Sequence, residues 1–198
     1  MVHRKTLPRD YTAQREVRFL EDVRRRMSTL SPGRKNLGSN PIFSHRVQTL
    51  DGFRLGFMHP KAFRTLCKQH GLDPTVSEAI LMQANRPTEP HVHAVGRSVF
   101  LPLGPEEGFA PCEGGTYMGP HTAGERRFEL AFEPAEPGKA FVIDPGAIHF
   151  FTPGRGKEFS AIAFVSPRIQ RDDGSFDITR FGMPSINSDG QKALIEAA

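Results

Sequence analysis

From about residue 42 to residue 167 the chain is a succession of short apolar runs, each rich in β-branched or aromatic residues and each closed by Gly, Pro, Asn or Asp. The runs are IFSHRVQTL and FRLGFMH on either side of Asp51-Gly52, then SEAILMQA, the segment around HVH, RSVFLPLG, RFELAFEP, KAFVIDPG and FSAIAFVSP. Runs of this length, punctuated this regularly, predict an all-β sandwich or barrel. The Asp-Gly pair marks a hairpin. Sixteen Phe and no Trp predict a Phe-packed interior.

Two segments break the β texture. Over residues 12–30, Val17, Leu20, Val23, Met27 and Leu30 recur at three- and four-residue steps and form one apolar stripe of an amphipathic helix. Arg24, Arg25 and Arg26 lie toward its C-terminal end, where cations suit the helix dipole, and Ser31-Pro32-Gly33 ends it. Residues 60–70 read as a second, short helix, with Pro60 in the first turn and Gly71 as the stop. Residues 33–41 read as a linker, and the part after Pro167 as a polar tail whose last residues, 191–198, form a short helix or a frayed end. The expected organisation is therefore a basic helical extension over 1–41, a β-barrel over 42–170 and a C-terminal tail over 171–198.

A chain of 198 residues suits one domain with an extension and buries enough core to need no disulfide staples. The two cysteines, Cys67 and Cys112, have no motif spacing, which fits a reducing, cytoplasmic compartment. No window approaches 18 apolar residues and the N-terminus lacks an apolar signal region, so neither a membrane span nor a signal peptide is expected. Residues 1–35 hold ten Lys/Arg against four acids, a charge of +6; with +4 overall, the rest of the chain carries −2. The basic character belongs to the N-terminal arm. No aromatic side chains interleave with the arginines as in single-strand binders, so the arm reads as a solvated helix face and nucleic acid is not the expected partner.

Chemistry concentrates in three histidines. His91 and His93 are two apart, so on a strand they share a face, which in a barrel is the interior. Pro87 and Pro90 mark that strand as an edge or irregular one. The run from Gly138 to His149 reads as a strand, a tight turn at Asp144-Pro145-Gly146, and a histidine opening the next strand. Pro145 fixes one turn dihedral and Gly146 accepts the positive φ of a type II turn, which re-aims the chain so that His149 faces inward. Neutral imidazoles gathered in this way suit Zn, Cu, Fe or Ni.

The two segments resemble the paired motifs of the cupin superfamily, G(x5)HxH(x3,4)E(x6)G and G(x5)PxG(x2)H(x3)N. Here His91, His93 and Gly104 follow the first motif, with Asn85 in place of its leading Gly and Arg97, after three intervening residues, where its Glu would stand. The second aligns as Gly138, five residues, Asp144-Pro145-Gly146, two residues and His149, with Pro153 in place of its final Asn. The resemblance covers about residues 42–167. It implies a double-stranded β-helix, or jelly-roll barrel, holding one divalent metal ion on His91, His93 and His149.

The motif's carboxylate position falls on Arg97, or on Ser98 if the spacer is four. A permanent cation cannot ligate, so the ion would keep its full charge and would want an anionic exogenous ligand. Arg97, if it faces the ion, would hold the charge of a small anionic substrate; alternatively it points to solvent from a bulged strand. Three-histidine cupins include thiol and diketone dioxygenases, which use iron(II). By resemblance, Fe(2+) is the favoured ion, with Zn, Ni, Mn or Cu also suited. The expected function is a mononuclear non-heme iron(II) dioxygenase using O2. The alternatives are a non-redox metal-dependent isomerase, lyase or hydrolase, or a non-catalytic ligand-sensing cupin. A homodimer is the expected assembly. The outer Ser-His-Tyr relay of thiol dioxygenases would fall on Ser160, Ile162 and Phe164, so its His and Tyr are missing.

Among other residues, Tyr117 is a candidate proton donor near the ion, or a loop anchor. His121 reads as a surface residue. Glu129 and Glu133 would supply a carboxylate only if their face of the RFELAFEP strand is interior; Phe128, Leu130 and Phe132 look like the core face instead. Glu89 shares strand parity with His91. His45, His59 and His70 read as structural, and Asp144 as a turn residue.

Overall fold

A computed structural model describes residues 11–50, 53–155, 157–169, 171–172 and 175–196. The basic residues of 1–10 and the expected Asp51-Gly52 turn lie outside the described residues.

Helix α1 (Tyr11–Ser28) is followed by a 3-10 turn at Pro32–Arg34, in the stretch expected to be a linker. Strands β1 (His45–Leu50) and β2 (Phe53–Phe57) pair antiparallel. Helix α2 (Pro60–His70) ends at Gly71, whose left-handed φ of 65° makes the C-cap. Then come β3 (Glu78–Ala84), β4 (His91–Val92), β5 (Arg97–Pro102), β6 (Gly114–Pro120), β7 (Arg127–Pro134), β8 (Phe141–Ile143), β9 (Ala147–Pro153) and β10 (Phe159–Ser166). The C-terminal part, expected to be a polar tail ending in a short helix or a frayed end, instead adds β11 (Thr179–Arg180), β12 (Ser185–Ile186) and β13 (Lys192–Glu196).

The strands form two antiparallel sheets, ordered β1-β2-β3-β10-β5-β8 and β11-β4-β9-β6-β7-β13-β12. The architecture is the all-β jelly-roll barrel that the motifs imply, with an N-terminal helix and one short inserted helix.

Alternation along the strands builds three apolar layers. On the first sheet, Val99, Leu101, Ile162 and Phe164 face outward and pack under Phe19, Leu20, Val23 and Met27 of α1. Ile80, Met82, Phe100, Ala163 and Val165 face inward and form the barrel core with Phe151 of the second sheet. The outer face of the second sheet buries Tyr117, Phe128, Leu130, Ile148 and Phe150 with Ala193 and Ile195 of β13. The third layer explains why β13 is a strand. Lys192-Ala-Leu-Ile-Glu196 pairs along β7, and Ala193 and Ile195 sit opposite Leu130 and Phe128.

The arginines of α1 are drawn into intramolecular contacts. Arg15 donates to the Gly71 carbonyl at 3.0 Å, Arg24 binds Glu106 at 2.8 Å and Glu107 at 2.5 Å, and Arg26 reaches Asp22 at 3.3 Å. Arg18 and Arg25 remain exposed. Among the described residues, no helix is long and apolar enough to cross a membrane.

Candidate metal centre

The second sheet brings the three histidines together. His91 on β4 lies directly across from His149 on β9, and His149 in turn faces Met118 on β6. His93 follows β4 by one residue and keeps the inward face, with ring centroids 5.1 Å from His91 and 4.9 Å from His149; the His91 and His149 centroids are 4.3 Å apart. Gly146 adopts φ 77°, the conformation expected of it, and its N–H donates to the His93 carbonyl at 2.8 Å. That bond ties the turn of the second motif to the histidine pair of the first.

All three side chains are buried, and one ligand nitrogen of each lies within 4.8 Å of the others; among the described residues they form the one cluster of His, Cys, Asp or Glu suited to an ion. His91 Nδ1 lies 2.9 Å from the Glu89 carbonyl and His149 Nδ1 lies 3.0 Å from the Ala147 carbonyl. A carbonyl only accepts, so Nδ1 carries the proton in both rings and the Nε2 lone pair is left for a ligand. Nε2 of His93 and of His149 are buried with no hydrogen-bond partner. Leaving such an atom unsatisfied costs about 1–3 kcal/mol, and two of them on converging rings fit a bound cation.

Burial, and then the neighbouring His91, push the His93 imidazole down to about 3. Burial likewise holds His149 well below the ordinary histidine value, with His91 and His93 adding to it and the Ala147 carbonyl opposing it. Both rings are neutral at pH 7, the form that ligates.

The histidines open onto a recess of about 570 Å³, counted with the solvent at its mouth. Its walls include Leu55, Ile80, Met82, Phe100, Phe151 and Val165, together with Ser98. Part of its rim comes from the C-terminal segment, through Ile169, Phe176 and Ile178.

The structure corrects the expected roles of two residues. Arg97 does not face the histidines. Its guanidinium binds the buried Glu16 carboxylate of α1 at 3.0 Å, on the outer face of the first sheet. The next residue, Ser98, takes the inward face and lines the recess, so the four-residue spacer of the motif is the one that applies. Tyr117 also faces away. Its hydroxyl donates to the Gly190 carbonyl at 2.7 Å and its ring stacks on Phe150 at 4.8 Å, in the outer layer of the second sheet. Tyr117 is an anchor for the C-terminal segment.

The other candidates lie elsewhere. His121 is exposed and packs its ring against Phe128 and Phe181. Glu129 is exposed and bound to Lys192 at 2.7 Å, and Glu133 is exposed. Glu89 reaches Arg180 at 3.6 Å and serves the site through its backbone carbonyl. His59 bonds to Ser44 Oγ at 3.0 Å with His45 beside it, and His70 lies 3.4 Å from Asp22. Ile162 and Phe164 face α1, so the relay positions of the thiol dioxygenases turn away from this site. Phe176 and Ile178 are the lining residues that sequence reasoning missed. They alternate with Ser175, Asp177 and Thr179, a pattern masked by the polar composition of the stretch.

No protein-family profile matches the chain. No curated protein matches it. Among solved structures, it is similar to the capsular polysaccharide assembling protein CapF from Staphylococcus aureus, with 11% identity and a TM-score of 0.45 over 67% of this chain; the match spans 30% of the CapF chain. KdgF from Halomonas sp. matches with 18% identity and a TM-score of 0.39, over 66% of this chain and 93% of that one. A recombinant oxalate oxidase in complex with glycolate matches with 14% identity and a TM-score of 0.40, over 68% and 58%. Two facing antiparallel sheets, with His91 on β4, His93 just beyond it and His149 on the neighbouring β9, give this chain a cupin-like fold.

Proposed function

We propose that this chain is a mononuclear metal-dependent cupin enzyme, with His91, His93 and His149 as its ligands, and more particularly a non-heme iron(II) dioxygenase acting on a small anionic organic substrate. The observation that carries the reading is the pair of buried, unpartnered Nε2 atoms of His93 and His149 converging beside an apolar recess. No carboxylate joins the cluster among the described residues. Three neutral imidazoles leave the charge of a divalent ion undiminished, and such an ion favours an anionic donor.

Iron bound there would supply O2 activation next to a substrate held on the same ion. The chain's own part is positional. The carbonyls of Glu89 and Ala147 set two of the ring orientations, and the Gly146 N–H locks the two motifs together. The apolar walls exclude water, which strengthens every electrostatic contact inside. Arg97 has no part in this, because Glu16 holds it. Iron is chosen on the family resemblance; three imidazoles also suit Zn, Ni, Mn or Cu, and with a redox-inert ion the same site would serve as a Lewis acid. The free thiols of Cys67 and Cys112 support a cytoplasmic setting, and a homodimer is the assembly we propose.

The test is reconstitution with iron(II) or zinc in separate preparations, followed by oxygen-uptake measurements with acetylacetone, mercaptopropionate and salicylate as probes. Uptake with at least one probe that requires iron, and that disappears in His91→Ala, supports the reading. Full zinc occupancy on purification together with no uptake by the iron form would replace it with the non-redox alternative.

A further inference from the structure

Among the described residues, ten of the fourteen side chains lining the recess are apolar; the other four are the three histidines and Ser98. Three charged side chains of the described residues on the elements around the recess are engaged elsewhere. Arg97 is held by Glu16, Glu78 accepts the Ile169 N–H at 3.0 Å, and Glu89 faces Arg180 at the surface. Ser98 is fully buried, and its Oγ has no hydrogen-bond partner. It stands in one cross-strand row with Val165 and Ile143, inside an otherwise hydrocarbon wall. A buried hydroxyl without a partner is costly unless a ligand supplies one. Phe176 stacks on Phe57 of β2, and the Glu78–Ile169 bond fixes the start of the segment that carries it.

We infer that the substrate is an amphipathic monoanion, with one anionic head for the ion and a hydrocarbon body, alkyl or aryl, lying against Phe100, Phe151, Phe176 and Ile178. Ser98 is the protein's hydrogen-bonding partner for the polar head. Sugar acids, polyols and dicarboxylates are disfavoured, because their additional polar groups would be buried against hydrocarbon with nothing to bond. This inference rests on the metal-dependent reading above and deepens it by naming the substrate class.

The test uses the full-length protein loaded with cobalt(II), whose visible absorption responds to a change of ligand. Straight-chain monocarboxylates from propionate to hexanoate are titrated in, and gluconate and malonate are compared with them. Burial of each added methylene should tighten binding about fourfold, and hexanoate should bind about tenfold or more tightly than gluconate. Ser98→Ala should weaken hexanoate binding about two- to tenfold with cobalt stoichiometry unchanged, while Ser98→Thr, which keeps the hydroxyl, retains it. A flat series, or gluconate binding as tightly as hexanoate, overturns the substrate class. Unchanged affinity in Ser98→Ala removes Ser98 from the site. Failure of cobalt to bind at all overturns the metal-dependent reading itself, an outcome distinct from bound cobalt that responds equally to every acid.

Discussion

Arg97→Ala separates a structural role from a chemical one. In the structure Arg97 is 20% exposed and its partner Glu16 only 2%. Removing one member of a fully buried ion pair costs about 3–5 kcal/mol, because it strands the other charge. The partial exposure of Arg97 lets water reach the Glu16 carboxylate once the guanidinium is gone, which lowers the expected loss to about 2–3 kcal/mol. For a chain of this size that is a fall in Tm of about 4–12 °C. Calorimetry of the variant, read together with its metal content, is the assay. A lower Tm with full metal binding is expected, and recovery of most of the stability when Glu16→Leu is combined with Arg97→Met. An unchanged Tm with lost metal or ligand binding would refute the assignment of Arg97 to the helix interface.

Other expectations follow from the site and its supports. The metal-free protein should lose stability as pH falls below about 6.5, because unfolding then lets His93 and His149 take up protons that the folded state refuses; each adds a slope of up to about 1.4 kcal/mol per pH unit, over a window that for His93 runs down to about 3. Urea melts between pH 7 and pH 4 check this, and a stability independent of pH there would contradict the burial argument. Gly146→Ala places a side chain at φ 77° with open space around it, so its cost is backbone strain of about 1–2 kcal/mol, accompanied by weaker metal binding as His149 is re-aimed; melting and metal titration of the same sample should move together. Tyr117→Phe should cost about 1 kcal/mol through the lost Gly190 bond and leave metal content unchanged, and a loss of metal would return Tyr117 to the site.

Much of the barrel was legible because its strands carry their own punctuation, and the two helices because their apolar stripes and stops are local. Gly71 and Gly146 adopt the positive φ their positions require. The face taken by Arg97 was not legible. Between His93 and β5 the chain turns through Gly96 at φ 92°, and a one-residue difference in the length of that turn exchanges the inward and outward faces of the whole strand. Sequence spacing admitted both Arg97 and Ser98 at the motif position; the Glu16 carboxylate waiting on α1 decides between them, and that contact joins residues far apart in the chain. The C-terminal strands were hidden for a related reason. Lys192–Glu196 has too little apolar surface to stand alone, and it is strand because β7 offers an edge and Phe128 and Leu130 offer a surface to cover. On α1, Arg15 and Arg24 serve as clamps rather than as part of the solvated face expected there, because their partners lie at the end of α2 and after β5, far along the chain.

Whether His91, His93 and His149 hold one divalent ion is decided by elemental analysis of the full-length protein after equilibration with divalent metal and removal of excess, run beside His91→Ala, His93→Ala and His149→Ala, each checked for retained β structure. One ion per chain is expected in the parent protein, with loss of that ion in each folded variant. No ion in the parent, or the same stoichiometry in all three variants, would contradict it.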